Sequence, residues 1–311
     1  MSSSMLVVGS VALDTLHMPS GHFPRVLGGS ATFASLAASL YCPVKLVGVV
    51  GKDFPEHGLD LLKSKNVDIS GLEIVDGKTF HWEGKYSADL GSRESIATEL
   101  NCFADFHPKI PAAHKSTPYV MLGNIHPSLQ VEVLDQIERP KLVIADTMNF
   151  WISGTPAELQ KMLKRIDLLV INEEESRQLA GVHNIAKAAR ELRAMGPRIV
   201  VIKRGEYGAL LFDGDDMFSA PAFPVETVID PTGAGDSFAG GFLGFVTKEN
   251  KIDGSTLRRA VIHGSVVASF LVEGISVERL AKVGPADLAA RYAGFARLAH
   301  FATADEIRSL A

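Results

Sequence analysis

The sequence predicts an α/β fold, a doubly wound and mostly parallel sheet with helices on both faces and a small β-sheet lid beside it. Three observations carry that prediction. Apolar residues make up 46% of the 311 residues and aromatic ones only 7%, an aliphatic core of the kind that strands buried on both faces require. Short β-rich runs alternate with helix-length segments along most of the chain. Between about residues 76 and 106 the alternation gives way to an aromatic-rich, strand-like texture. No composition break divides the chain, so residues 1–311 read as a single domain.

Taken in order, Met5–Val11 is a β-rich apolar run, Gly28–Tyr41 a small-residue helix and Val44–Val50 a second buried strand, which together make a βαβ-like opening. Pro55–Lys65 supplies the next helix. The stretch Thr79-Phe-His-Trp-Glu-Gly-Lys-Tyr-Ser then alternates, and the polar Asp89-Leu-Gly-Ser-Arg-Glu-Ser follows it. With residues 14–25, the segment 76–106 forms a candidate lid; edge strands of the main sheet are the alternative. Alternation resumes with strands at Tyr119–Leu122, Leu142–Ala145, Leu168–Ile171, Ile199–Ile202 and Ala209–Phe212. Helices at Ser128–Ile137, Pro156–Lys164, Glu173–Leu179 and Ile185–Ala194 separate them. The C-terminal third is helical, with Gly233–Val246, Thr256–Leu271 and Pro285–Leu298, and Val228-Ile229 can end a strand just before it.

A net charge of −5 with no Lys/Arg run argues against a nucleic-acid partner. Cys42 and Cys102 are the only cysteines, too few for a disulfide framework, which fits a reducing cytosol. The N-terminus lacks a charged leader, and no segment has the roughly 20 apolar residues of a membrane span, so a cytoplasmic location is expected. Scattered histidines without metal-ligand spacing argue against a zinc site.

The most informative stretch is residues 230 to 242, Asp-Pro-Thr-Gly-Ala-Gly-Asp-Ser-Phe-Ala-Gly-Gly-Phe. At the start of an apolar helix, Gly233, Ala234 and Gly235 can form an anion nest from unpaired amides and the positive end of the helix dipole. Asp236 then stands beside the anion. A carboxylate there repels a bound phosphate, but it suits a base that takes the proton of a hydroxyl attacking that phosphate. The chemistry suggested is phosphoryl transfer to an alcohol; a plain turn with a dipole-complementing acid is the structural alternative.

This string closely resembles the signature of the ribokinase family, the PfkB carbohydrate kinases, with Pro231 inserted after the aspartate. Other positions match in family order. Gly28 and Gly29 correspond to the family's second signature, and Asp14 to an acceptor for substrate hydroxyls. Where relatives carry a sugar-binding asparagine this chain has Thr32 and Phe33, a departure that removes the usual furanose contact. Asn172 and Glu175 match the Asn-x-x-Glu motif, which implies that they hold Mg²⁺, mainly through water. Lys203, Arg204 and Gly205 look like the family's nucleotide loop, with Thr232 beside the phosphates and His263 on the helix where relatives line the adenine pocket. Without the resemblance, close packing explains Gly28 and Gly29, helix capping explains Asn172 and Glu175, a hairpin with exposed basic residues explains Lys203–Gly208, and packing explains His263.

The resemblance implies a kinase that moves the γ-phosphate of ATP, with Mg²⁺ and in many relatives K⁺, to a sugar or nucleoside. A sugar kinase in the broad sense is the favoured reading and a nucleoside kinase the next. Phe33, Trp82, Phe23 and Tyr86 offer an aromatic wall for a nucleobase, or lid packing. Asp146 and Asn149, after another strand, fall on the functional side of the sheet. A non-catalytic nucleotide- or metabolite-binding module is the alternative from a different class. Exposed lid edges also offer a homodimer contact.

Overall fold

The computed structural model describes residues 3–299. Its first strand, β1 (Met5–Val8), ends at Gly9, and the chain turns outward into β2 (Ala12–Met18) and β3 (Gly21–Gly28). The apolar run Met5–Val11 therefore holds one short strand, Met5–Val8, and the turn Gly9–Val11 that leads to the second sheet. The helix α1 (Ser30–Ser39) begins two residues later than its glycines suggest, because Gly28 closes β3 and Gly29, at φ 91°, turns the chain. Then come β4 (Val44–Gly51), α2 (Glu56–Ser64), β5 (Val67–Val75), β6 (Phe80–Tyr86) and β7 (Arg93–Glu99). The βα alternation follows with β8 (Tyr119–Leu122), α3 (Pro127–Leu134), β9 (Leu142–Asp146), α4 (Asn149–Gly154), α5 (Pro156–Leu163), β10 (Leu168–Asn172), α6 (Glu173–Ala180), α7 (Ile185–Ala194) and β11 (Ile199–Lys203). A meander of β12 (Ala209–Asp213) and β13 (Asp216–Ala220) precedes α8 (Ala234–Glu249), α9 (Gly254–Leu271) and α10 (Pro285–Ala299).

The main sheet has nine strands in the order β13-β12-β11-β10-β9-β8-β1-β4-β5. It is parallel from β5 to β11 and antiparallel at β12 and β13. Strand β13 has no counterpart in the sequence reading, since its half-exposed Asp216-Met-Phe-Ser-Ala carries little apolar signal. Val228-Ile229 is not a strand either: the Ile229 N–H donates to the Val272 carbonyl at 2.7 Å in an irregular loop. The chain runs from β1 out to β5 and returns to β8 on the other side of β1, so the topological switch point lies between β1 and β8, where ligands of such sheets bind.

Both faces of the sheet are covered. Met5 and Val7 of β1 point into one core, with α1, α8 and α9, while Leu6 and Val8 point into the other, with α3, α5 and α7. Helices α1 and α8 approach through small residues. A Cβ at Gly240 would stand 2.3 Å from the Ala34 carbonyl, and one at Gly244 2.9 Å from the Ala38 Cα.

The second sheet, in the order β3-β2-β6-β7, is the lid. Its strands extend beyond the expected 14–25 at both ends. Asp53, after β4, anchors it: one carboxylate oxygen accepts the Thr79 N–H and hydroxyl, each at 2.7 Å, and the other accepts from Arg25 at 2.6 Å. Alternation puts Asp14, Leu16, Trp82 and Tyr86 on one face, and Thr15, His17, His81 and Glu83 on the other.

The Gly240 contact sets a test of this packing. Gly240→Val forces α1 and α8 apart and should lower stability by about 1–3 kcal/mol, read as a lower Tm in thermal unfolding. An unchanged Tm would mean that the two helices are not in close contact.

Candidate active site

The N-terminus of α8 is built for an anion. Gly233 takes φ 75° and ψ 5°, and a Cβ there would fall 2.3 Å from the Phe33 ring, so only glycine fits. The two oxygens of buried Asp230 accept the amides of Thr232 and Ser276, each at 2.8 Å, and fix the loop that leads in. No side chain caps the helix. Ala234 donates its N–H to the Pro231 carbonyl at 3.1 Å, whereas the amides of Gly233 and Gly235 have no partner among the described residues. Those two N–H groups and the helix dipole face the crevice.

Acidic groups surround that point. Asp236 lies in the first turn of α8, and its pKa is pushed up to about 7 by burial and by Asp146, with Lys203 and Arg93 opposing. Asp14, on the lid and only 5% exposed, is raised to about 8 by burial and then by Asp230 and Asp236. Glu175 is raised to about 7 by burial and by Asp146. Lys203 donates to Asp146 Oδ2 at 2.7 Å. Burial pulls the Lys203 pKa down, but Asp146, Glu175 and that hydrogen bond together leave it above the usual lysine value. A Cβ at Gly235 would stand 2.9 Å from Lys203 Nζ, so the ammonium sits directly beside the nest.

Asn172 and Glu175 form a reciprocal capping box on α6, with the Glu175 N–H donating to Asn172 Oδ1 at 2.8 Å and the Asn172 N–H donating to Glu175 Oε2 at 3.1 Å. The box explains both residues locally, yet it leaves Glu175 Oε1 and the Asn172 amide nitrogen unengaged. No three His, Cys, Asp or Glu side chains converge at metal-ligand geometry among the described residues. The acids nevertheless outnumber the ammonium, so the site fits a divalent cation that keeps waters and phosphate oxygens as most of its ligands.

The remaining residues singled out in the sequence divide into four groups. Gly28 makes room for Asp14, since a Cβ would lie 2.1 Å from its Oδ2, and Gly29 approaches the Ser10 carbonyl, where a Cβ would lie 2.4 Å away. Phe33, 2% exposed, packs beneath Gly233; it supports the nest from inside and does not line the crevice. Thr32 is equally buried, with a hydroxyl that finds no partner among the described residues. Arg204 donates to Glu173 at 2.8 Å, and Gly205, at φ 57°, has open space beside it. His263 stacks between Phe245 at 3.9 Å and Tyr292 at 4.6 Å, and Tyr41 Oη lies 3.1 Å from its Nδ1. Burial holds its pKa down to about 4. Phe245 is nine residues along α8 from Asp236, about 14 Å of helix, so the structure does not bring His263 to the carboxylate cluster.

Two residues take parts that their places in the sequence analysis did not assign. Asp146 ends β9 and anchors Lys203, and Tyr86 Oη lies 2.7 Å from Thr232 Oγ1, joining lid to nest loop. The position of Asp146 at a strand's carboxyl end was a signal for it; that Tyr86 reaches Thr232 has none in the sequence.

The pfkB family carbohydrate kinase model matches residues 4–280. The chain belongs to this family. It is a phosphotransferase with an alcohol group as acceptor, a kinase of the sugar and nucleoside kinase group, and that membership sets aside the non-catalytic reading. This PfkB chain is 32% identical over 249 residues to a cytidine kinase of Thermococcus kodakarensis, covering 77% of this chain and 87% of the relative. It is 34% identical over 291 residues to the 2-dehydro-3-deoxygluconokinase of Thermoproteus tenax, covering 84% and 83%. Among solved structures, the Burkholderia thailandensis nucleoside kinase in complex with inosine superposes with a TM-score of 0.75 at 20% identity over 94% of this chain and 98% of that one. A Vibrio cholerae fructokinase with fructose, ADP and calcium gives 0.76 at 21% identity over 93% and 98%. Both share the fold. No helix among the described residues is long and apolar enough to cross a membrane.

The raised acid pKa values carry a stability prediction for this kinase. Asp14, Glu175 and Asp236 keep protons in the folded state that they lose in the unfolded chain, whose reference values are 3.8 for aspartate and 4.5 for glutamate. Their contribution is complete below about pH 4 and is lost as the pH rises through about 7 to 8. The ligand-free protein should therefore lose Tm between about pH 5 and pH 8.5, and Asp236→Asn should raise Tm at the upper end, each full pKa unit being worth about 1.4 kcal/mol. A Tm unchanged by Asp236→Asn at high pH would show that Asp236 ionises without penalty.

Proposed function

We propose that this kinase transfers the terminal phosphoryl group of ATP to a hydroxymethyl group of a nucleoside, with Asp236 as the general base. The observation that carries the phosphoryl-transfer part is the placement of Asp236, with a pKa raised to about 7, beside the two free amides of the α8 nest. A base titrating near neutrality can take the hydroxyl proton without being permanently protonated or too weak. As the acceptor oxygen attacks, the bond to the β-phosphate oxygen breaks, ADP leaves and the proton passes to Asp236. Gly233, Ala234 and Gly235 and the dipole of α8 stabilise charge on the moving group.

Asn172 and Glu175 hold Mg²⁺ in this reading, mainly through water, and the ion supplies charge neutralisation at the phosphates. Lys203, fixed by Asp146, adds a positive charge beside Gly235. Thr232, Arg204 and Gly205 border the nucleotide side. Asp14, with a pKa near 8, can both donate to and accept from a substrate hydroxyl, and Gly28 and Gly29 let the backbone close behind it. K⁺ dependence belongs to the same proposal and is read by replacing KCl with NaCl in the assay.

Support for a nucleoside acceptor comes from the lid. Trp82 stands opposite Asp14 in the β2–β6 register and lies along Gly84, with its ring half-exposed. A ring beside a hydroxyl-binding acid suits a base and its ribose together. The cytidine kinase relative at 32% identity is consistent with that choice. A sugar acid is the second reading, supported by the 2-dehydro-3-deoxygluconokinase relative.

Purified protein with ATP, Mg²⁺ and K⁺ should add one phosphate to a nucleoside in a panel of nucleosides, free sugars and sugar acids followed by mass spectrometry. Phosphorylation of sugars alone would overturn the nucleoside part and leave the transfer reading intact. Asp236→Asn should cut kcat by about 10²–10⁴ and leave ATP affinity unchanged, as calorimetry can check. Full turnover in that variant would remove Asp236 from the chemistry. Trp82→Ala should weaken acceptor binding by about 1–3 kcal/mol, seen as a higher acceptor KM, if the ring carries a base. An unchanged KM would place the base elsewhere.

A further inference from the structure

Gln130 lies in the first half of α3, four residues past the N-cap His126, and is 1% exposed. Side chains in a helix lean toward its N-terminus, and a helix that follows a parallel strand starts beside that strand's carboxyl end. The Gln130 amide therefore reaches the carboxyl edge of the sheet. Its Nε2 donates to two carbonyls at once, Gly123 at 2.9 Å and Asp146 at 3.1 Å. Both carbonyls lie one residue past the end of the β8–β9 ladder, whose last pair is Leu122 with Ala145. Gln130 thus continues, by a side chain, the pairing that the two strands give up.

Each end that it clamps leads to the site. Gly123 donates its N–H to the Val8 carbonyl at 2.7 Å, so the end of β8 is tied to β1 across the switch point. Asp146 is fixed at three atoms: its carbonyl by Gln130, its Oδ1 by the Thr147 N–H at 2.8 Å and its Oδ2 by Lys203 Nζ at 2.7 Å. Lys203 in turn stands beside the nest, 2.9 Å from where a Cβ on Gly235 would be. A continuous run of contacts leads from Gln130 through Asp146 and Lys203 to the nest. Packing alone does not call for this amide. Its Oε1 is buried without a hydrogen-bond partner among the described residues, so an apolar side chain of the same length would be the better filler. What an apolar side chain cannot do is hold two strand ends at one spacing.

We propose that Gln130 is a positioning residue for phosphoryl transfer: by clamping the ends of β8 and β9 it aims the Asp146 carboxylate, and through it the Lys203 ammonium, at the phosphoryl group that the nest receives. This rests on the phosphoryl-transfer reading and extends it to a residue that touches neither nucleotide nor acceptor. Lys203 needs such guidance, because the carboxylates of Glu175 and Asp236 also attract its charge. An ammonium released from Asp146 has those two as competing partners, and either pairing moves it off the nest. Stabilisation of the phosphoryl group in flight is electrostatic and depends on charges held in place beforehand. A positional error of about 1 Å at such a group lowers the rate by about 10²-fold.

The test uses Gln130→Met, Lys203→Met and the double variant in the full chain, with ATP, Mg²⁺ and the acceptor that the wild-type protein phosphorylates in the panel above. Methionine keeps the length of glutamine and removes both donors. Gln130→Met should lower kcat by about 10–10²-fold and leave acceptor KM unchanged. In the Lys203→Met background the same substitution should lower kcat no further, because the ammonium it misplaces is gone. Losses that multiply overturn the proposal, since they mean that Gln130 acts on the fold and not through Lys203. Unchanged kcat in Gln130→Met, or a change confined to acceptor KM, overturns it too. If Gln130→Met does not fold, Gln130→Asn, which is too short to reach both carbonyls, goes through the same cycle. A second arm needs no turnover: calorimetry of MgATP and MgADP. Because the nest receives the terminal phosphoryl group, Gln130→Met should weaken MgATP several-fold and leave MgADP unchanged. An equal change in both, or none, overturns the proposal. If the wild type phosphorylates nothing in the panel, or Asp236→Asn keeps full turnover, it is the transfer reading that fails, and the calorimetry still decides the role of Gln130.

Discussion

The crevice at the carboxyl edge of the main sheet gathers Asp146, Glu175 and Asp236 around one ammonium, Lys203, with Asp14 of the lid facing Asp236. Removing carboxylates from water without enough partners costs folding energy, and burial with mutual repulsion pushes the pKa values of Asp14, Glu175 and Asp236 up. In the proposed function a metal–nucleotide complex would bring a divalent cation to the acids and phosphates to the amides of α8, so each half of the ligand would meet its complement, and binding would recover stability that the clustered acids cost.

Such a cluster needs a rigid frame, and the frame comes from close backbone approaches. Phe33 fills the space under Gly233 and thereby fixes the left-handed turn that aims the nest. Ser30, at the start of α1, is held by Ser10 through its N–H at 3.0 Å, and sits against Gly9 and Gly123 at the ends of β1 and β8. The same helix packs along α8 through Ala34 and Gly240. The switch point, α1 and the nest therefore form one continuous packed unit, and a side chain at any of these glycines would shift the others.

Most of this was legible in the sequence where a local pattern carries the information. Apolar runs located the buried strands, and residues 230 to 242 located the nest and its acid, because a helix start leaves a mark over consecutive residues. Boundaries failed where an apolar run includes a turn, as at Met5–Val11, whose last three residues leave β1 for the second sheet and which no periodicity distinguishes from one longer strand. β13 was missed because a half-exposed edge strand needs few apolar residues. Phe33 had been placed on the substrate side, since its neighbours in sequence are; helical rotation instead turns it under Gly233. The contact of Tyr86 with Thr232 gave no signal at all. It depends on how the lid meets the nest loop, a long-range property that a lone tyrosine in an alternating stretch does not encode.

The division of the site between two sheets has a chemical consequence. The nest, Lys203, Asp146, Asn172 and Glu175 all project from the ends of strands or helix starts of the main sheet, whose two faces are fully packed. Asp14, Trp82, Tyr86 and Arg93 belong to the lid, a four-stranded sheet joined to the rest through the Asp53 anchor and the Tyr86–Thr232 hydrogen bond. In the proposed function, the groups of the nest thus stay fixed to the main sheet while the acceptor-facing groups ride on a separate layer. In the proposed function, substitutions on the inner lid face would alter which alcohol is accepted without disturbing the nest. The Tyr86–Thr232 hydrogen bond, together with the Ser276 hydroxyl donating to the Leu27 carbonyl of β3, holds the two layers in a common register, so in the proposed function acceptor binding and phosphate chemistry would be coupled there.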